Sequence, residues 1–180
     1  LETFERLTIY VLNEENFADP GSIFDLCNPG AGEDASFIYQ NPTKIQKVWE
    51  ERFGEPLRLA LERLLDDRTA DTSPILEMIQ SVTNLATLNG MGGPVRLFVV
   101  SDMLQNVPEF SHYSAATDID AFLLSDYFAS VRGPMNSIDV RAYYLMRPNQ
   151  RNLQGNDHME FWSAVLQAQG ARLVDVVKIY

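Results

Sequence analysis

The chain is short of basic residues and almost without cysteine. Among its 180 residues, 14 are Lys or Arg against 25 Asp or Glu, a formal net charge of −11. That balance argues against a nucleic-acid partner, which normally requires a basic face. It fits a chain that holds cations or meets a basic partner. A single cysteine, Cys27, excludes an internal disulfide framework and a cysteine-rich zinc site. With no histidine near it in sequence, Cys27 reads as a small buried apolar residue. No apolar run approaches the ~20 residues of a membrane span. The opening Leu1-Glu2-Thr3-Phe4-Glu5 has no basic region followed by an apolar stretch, so no signal peptide is visible. A cytoplasmic protein is therefore expected, or a periplasmic one if a leader precedes Leu1. The motifs Gly-x-Ser-x-Gly and His-Glu-x-x-His are missing. Gly90-Met91-Gly92-Gly93 precedes a strand instead of following one, which excludes a phosphate-binding loop.

What is present is a substantial apolar fraction, 46% of the chain, enough for one domain spanning residues 1–180 with a real core. Its most informative stretch is Val95-Arg96-Leu97-Phe98-Val99-Val100-Ser101-Asp102. A short Val-rich run bounded by Gly92-Gly93-Pro94 and a polar loop is the pattern of a central parallel strand. Ligands of open α/β sheets bind outside the carboxyl ends of such strands, where Asp102 sits.

Arg6 to Leu12 is β-rich, and Ser22 to Leu26 reads as a second short strand. Thr43 to Leu65 has helical periodicity through Ile45, Val48, Trp49, Phe53, Leu57, Leu61 and Leu64. Gly54 and Pro56 predict a kink or two abutting helices. Ser73-Pro74 opens a helix to about Leu88, with Ser as N-cap and Pro at the first position. Thr117-Asp118-Ile119-Asp120 resembles a capping box and predicts one helix through Val131. Ile138 to Met146 predicts a strand, with Val140, Ala142, Tyr144 and Met146 on one face. A helix from Asp157 to Gln169 and a strand from Leu173 to Tyr180 complete the chain. The alternating second half implies right-handed crossovers and a mostly parallel sheet.

Three segments resemble the von Willebrand factor A-like domain: Thr72 to Glu77, Leu97 to Asp102, and the closing Phe161 to Tyr180. A group of bacterial proteins of this type with little assigned function is similar at Phe24 to Gly30, Asn41 to Trp49 and Ser101 to Asn106. The resemblance implies a Rossmann-like open sheet with helices on both faces. It also implies a Mg²⁺ site at the carboxyl edge, with Ser73 and Asp102 as metal ligands. The family's Asp-x-Ser-x-Ser loop and first central strand do not occur in this chain. A gap in the sheet, and native residues upstream of Leu1, are the resulting expectation.

The residues themselves leave alternatives open. Asp102 reads as a metal or catalytic carboxylate, or as a cap of the loop Met103 to Asn106. Ser73 reads as a ligand or a plain N-cap. Asn13 and Glu14 follow a predicted parallel strand and would rim the same edge. His112 reads as an acid, base or ligand, or as a loop histidine packed on a neighbour. His158, in the first turn of the last helix, is expected to be neutral and structural. Phe110, Tyr113, Phe122, Tyr127 and Phe128 form an interaction surface or a core under the long loop. The leading reading is a protein-binding module, its partner meeting Asn13, Glu14, Gln105, Asn106, His112 and Arg147, with or without a bridging Mg²⁺. Alternatives are a metal-assisted hydrolase using Asp102 and His112, and a structural subunit completed by a partner's strand.

Overall fold

Alternating segments of strand and helix propensity give a mixed α/β protein. The computed structural model describes residues 1–12, 17–34, 41–65, 71–88, 93–114 and 118–180. Contacts divide the chain into two compact units, Leu1–Val11 with Pro20–Thr69, and Leu12–Asp19 with Ala70–Tyr180.

In the first unit, β1 (Arg6–Tyr10) pairs with β2 (Ser22–Cys27) in an antiparallel two-stranded sheet of its own. The sequence reading of β1 as a parallel strand of the main sheet is thereby corrected. The connection over residues 11–21 holds no helix among the described residues, whereas a parallel pair needs a crossover, usually helical, to bring the chain back to the same end of the sheet. Apolar positions of the pair, Leu7, Ile9, Ile23 and Phe24, pack with Trp49, Phe53, Leu57 and Ala60. These last four lie along α1 (Pro42–Trp49), a π-helical turn at Glu50–Gly54, and α2 (Glu55–Glu62). The predicted interruption at Gly54 and Pro56 thus takes the form of a widened turn between two helices. Asn28 lies buried just beyond β2, and its Oδ1 accepts the Trp49 Nε1–H at 2.9 Å. Cys27 is exposed, contrary to the buried role read from sequence. It ends β2 opposite Arg6, on the face that carries Asp25, whose carboxylate meets the Arg6 guanidinium.

In the second unit, α3 (Ile75–Leu88) leads into β3 (Arg96–Ser101). Two short helices follow, α4 (Ile119–Leu123) and α5 (Asp126–Val131), and then β4 (Asp139–Leu145), α6 (Asn156–Ala168) and β5 (Arg172–Ile179). The single helix expected up to Val131 is broken after Leu123. Ser125 restarts it, its side chain accepting the Phe128 N–H. Gly170 closes α6 with φ +88°, and the Ala171 N–H returns to the Leu166 carbonyl at 3.0 Å.

Strands β3, β4 and β5 form a continuous parallel sheet in that order. β3 stands at the margin, contrary to the central place read from its sequence, and no strand pairs with its outer edge among the described residues. Leu97, Val99, Val140, Tyr144, Leu173 and Val176 pack beneath a core built from α3, α4, α5 and α6, centred on Phe161, Trp162 and Val165. Within this unit that core covers one face. The other face displays Phe98, Val100, Leu145, Val177 and Ile179 to solvent, where helices on both faces were expected. Two cross-strand ion pairs, Arg141–Asp175 and Arg172–Asp139, lie among these apolar side chains.

Candidate functional site at the carboxyl edge of the sheet

The edge is built by the turn that leaves β3. Met103 has φ +59°, a left-handed conformation that costs a non-glycine residue about 1–2 kcal/mol. The surroundings hold it there. Asp102 Oδ1 accepts the Leu104 N–H at 3.0 Å, and Ser101 Oγ accepts the Met103 N–H at 3.0 Å. The Met103 carbonyl receives the Trp162 Nε1–H at 2.8 Å and lies 3.0 Å from His158 Nε2. A carbonyl only accepts, so His158 carries its proton on Nε2. Its Nδ1 then accepts the Tyr144 hydroxyl at 2.6 Å. Burial lowers the His158 pKa and keeps the ring neutral. Burial, followed by the nearby Asp102 charge, raises the Tyr144 hydroxyl above its ordinary range.

Gln154, buried at the base of α6, ties the ends of the neighbouring strands together. Its Nε2 donates to the Asp102 carbonyl at 3.1 Å and to the Leu145 carbonyl at 2.8 Å. Its Oε1 accepts the Arg147 N–H at 2.7 Å. Arg147 closes the ring, its Nε paired with Asp102 Oδ2. Of the two charged partners, Asp102 is 9% exposed at the side chain and Arg147 is 63% exposed. The carboxylate is thus a buried anchor, and the guanidinium is presented to solvent.

A second buried network braces the loop behind this edge. Gln105 is fully buried. Its Oε1 accepts the Leu76 N–H at 3.0 Å, and its Nε2 donates to Glu77 Oε2 at 2.9 Å and to the Tyr127 hydroxyl at 2.8 Å. Tyr127 in turn donates to Glu77 Oε1 at 2.7 Å, and burial raises its pKa. Asn106 faces Ser73 across an antiparallel bridge, with Ser73 N–H to Asn106 O at 2.8 Å and Asn106 N–H to Ser73 O at 3.1 Å. The Asn106 side chain accepts the Ser111 hydroxyl at 2.8 Å and donates to the Asp71 carbonyl at 3.0 Å.

His112 is buried among Phe110, His158 and Phe161, with ring centroids 4.4 to 5.0 Å apart. Its Nδ1 accepts the Gln105 N–H at 3.0 Å, which places its proton on Nε2, an atom without a hydrogen-bond partner. Burial first, and the neighbouring His158 second, push its pKa down to about 3. Phe110, Phe122, Tyr127 and Phe128 belong to the packed core, while Tyr113 is exposed.

The sequence-derived residues therefore fall into two groups. Asp102 and Arg147 meet directly, whereas Ser73, Gln105, Asn106 and His112 form the loop assembly behind them. The side chain of Gln105 and the ring of His112 face inward, away from the surface contact read for them. Asn13 and Glu14 lie outside the described residues. Gln154 escaped sequence reading, because its partners are main-chain atoms and composition carries no signal for them.

The donor set does not suit the divalent cation that the resemblance implies. One Asp102 oxygen holds the Leu104 N–H, and the other holds a guanidinium. A hard cation needs that carboxylate and several further oxygens. Among the described residues, no three His, Cys, Asp or Glu side chains converge on one point. No helix of the described residues is long and apolar enough to cross a membrane. Comparison with family models, curated proteins and solved structures finds no match.

Proposed function

We propose that this chain is a protein-binding module whose contact surface is the carboxyl edge of β3 and β4. The observation that carries this reading is the asymmetry of the Asp102–Arg147 pair. A buried carboxylate and the Gln154 clip hold an exposed guanidinium in a fixed place. Exposed charged residues on a rigid support are what association surfaces use for orientation and specificity. The hydrolase alternative draws less support. Asp102 is engaged by Leu104 and Arg147, and the His112 ring is enclosed by aromatic neighbours with Nδ1 already in use.

Photo-crosslinking tests the reading. The crosslinking amino acid p-benzoylphenylalanine is placed at Asn149 or Asn152 on the edge loop, and at Arg58 on α2 as a control. Each protein is then irradiated in an extract of its source cells. An adduct of defined mass from the edge positions, missing from the control, is expected. Identical adducts from all three positions, or none from the edge, overturn it.

A further inference from the structure

We infer that Arg147 is the anchor for a carboxylate of an acidic partner segment, and that this recognition needs no divalent cation. The inference rests on the protein-binding reading above and names the chemistry of the partner.

The first support is charge placement. The chain carries 25 acidic against 14 basic residues, yet no Asp or Glu occurs between Val140 and Asn156. That stretch holds Arg141, Arg147 and Arg151. Arg141 is engaged by Asp175 on the neighbouring strand. Arg147 and Arg151 flank the turn Pro148–Gln150 on the edge loop, with both residues exposed. An acidic partner segment is drawn to exposed basic residues that stand without acidic neighbours in sequence, and at this edge Arg147 and Arg151 are such a pair.

The second support is guanidinium geometry. Arg147 uses Nε for Asp102, and its side chain stays 63% exposed. A guanidinium offers five N–H donors in a rigid planar fork, and carboxylates match that fork with paired hydrogen bonds. The Asp102 anchor and the Gln154 bond to the Arg147 N–H fix the side chain's root, which reduces the ordering cost on binding.

The third support is the mismatch with a metal. The Asp102 carboxylate that a cation would require is neutralised by a side chain that is itself a cation. The cationic partner of Asp102 is thus covalently part of the chain, and a partner's carboxylate would meet the exposed side of that guanidinium, with Arg151 beside it.

The test titrates the ¹⁵N-labelled 180-residue chain with an acetylated hexaglutamate peptide at low ionic strength, following the Arg147 Nε–H resonance. Hexaglutamine serves as the neutral control. Saturable shifts with hexaglutamate only are expected, with the same affinity within twofold in EDTA and in 5 mM MgCl₂. Arg147→Gln should weaken binding at least fivefold, and Arg58→Gln, in the other unit, should leave it unchanged. Arg147→Lys keeps the charge and the ion pair without the fork. It should weaken binding by a smaller factor, which separates recognition from loss of fold. Absence of binding, an equal response to hexaglutamine, unchanged affinity of Arg147→Gln, or a tenfold gain with Mg²⁺ each overturn the inference. If the edge crosslinks to a partner while hexaglutamate does not bind, the acidic chemistry fails and the protein-binding reading stands. If hexaglutamate binds through Arg147 but the edge gives no adduct, the reading of a protein partner fails.

Discussion

His112 makes the second unit sensitive to acid, and the size of the effect follows from its surroundings. The ring is 6% exposed and its pKa is pushed down to about 3. In an unfolded chain it titrates near its ordinary value of about 6.5. Above that pH neither state carries the proton, and the stability that depends on His112 is fully present. As pH falls, the unfolded chain takes up a proton that the folded chain refuses until about pH 3. Stability therefore drops by about 1.4 kcal/mol per unit across this window. From pH 7.5 to 5.0 the loss is about 2 kcal/mol, against a total of roughly 5–15 kcal/mol for an ordinary domain. Urea unfolding of wild type and His112→Asn at both pH values measures it. Asparagine does not titrate, and its Oδ1 can replace Nδ1 as acceptor for the Gln105 N–H. The variant should be less stable at pH 7.5 by about 1–3 kcal/mol, from lost packing. That deficit should shrink by about 2 kcal/mol at pH 5.0, because only wild type loses the His112 contribution. Carboxylates elsewhere titrate alike in both proteins and cancel. A deficit of equal size at the two pH values refutes the reasoning.

Two further outcomes are expected. Gln105→Leu removes the partner of the Leu76 N–H, Glu77 and the Tyr127 hydroxyl at once. It should cost about 2–4 kcal/mol in urea unfolding, and a loss below about 0.5 kcal/mol would show that the network is not structural. Cys27 should react with Ellman's reagent in native buffer at a rate close to that of a small free thiol. Reaction only after urea is added would contradict its exposed position.

Local elements were largely legible, because their signals lie within a few residues. Gly54 and Pro56 marked the break between α1 and α2, and the alternation of Val140, Ala142 and Tyr144 gave the buried face of β4. Ser125-Asp126 carried a capping signal for α5 that the longer helical reading overrode. Pairing was less legible. The β-rich run at Arg6 to Tyr10 has the same composition whether its neighbour is parallel or antiparallel, and nothing within the strand itself distinguishes them. At the site, Asp102 was located by the strand-end rule, and Arg147 was named only as one of several edge residues. Their ion pair joins loops 45 residues apart, and nothing local to either residue encodes it. The same holds for Glu77, Gln105 and Tyr127, which meet only after three separate elements have packed.

The open face of the β3–β4–β5 sheet bears on how this protein behaves in a test tube. Phe98, Val100, Leu145, Val177 and Ile179 form an apolar surface beside a strand margin, an arrangement prone to sheet-to-sheet sticking. The Arg141–Asp175 and Arg172–Asp139 pairs keep that surface hydrated. All four partners are well exposed, so dissolved ions screen them over about 10 Å at 0.1 M and over only about 3 Å at 1 M. Salt also quiets the mutual repulsion of a chain carrying eleven net negative charges. Both effects act in one direction. Concentrated salt favours self-adhesion, and dilute buffer near neutral pH is the medium in which this molecule stays dispersed.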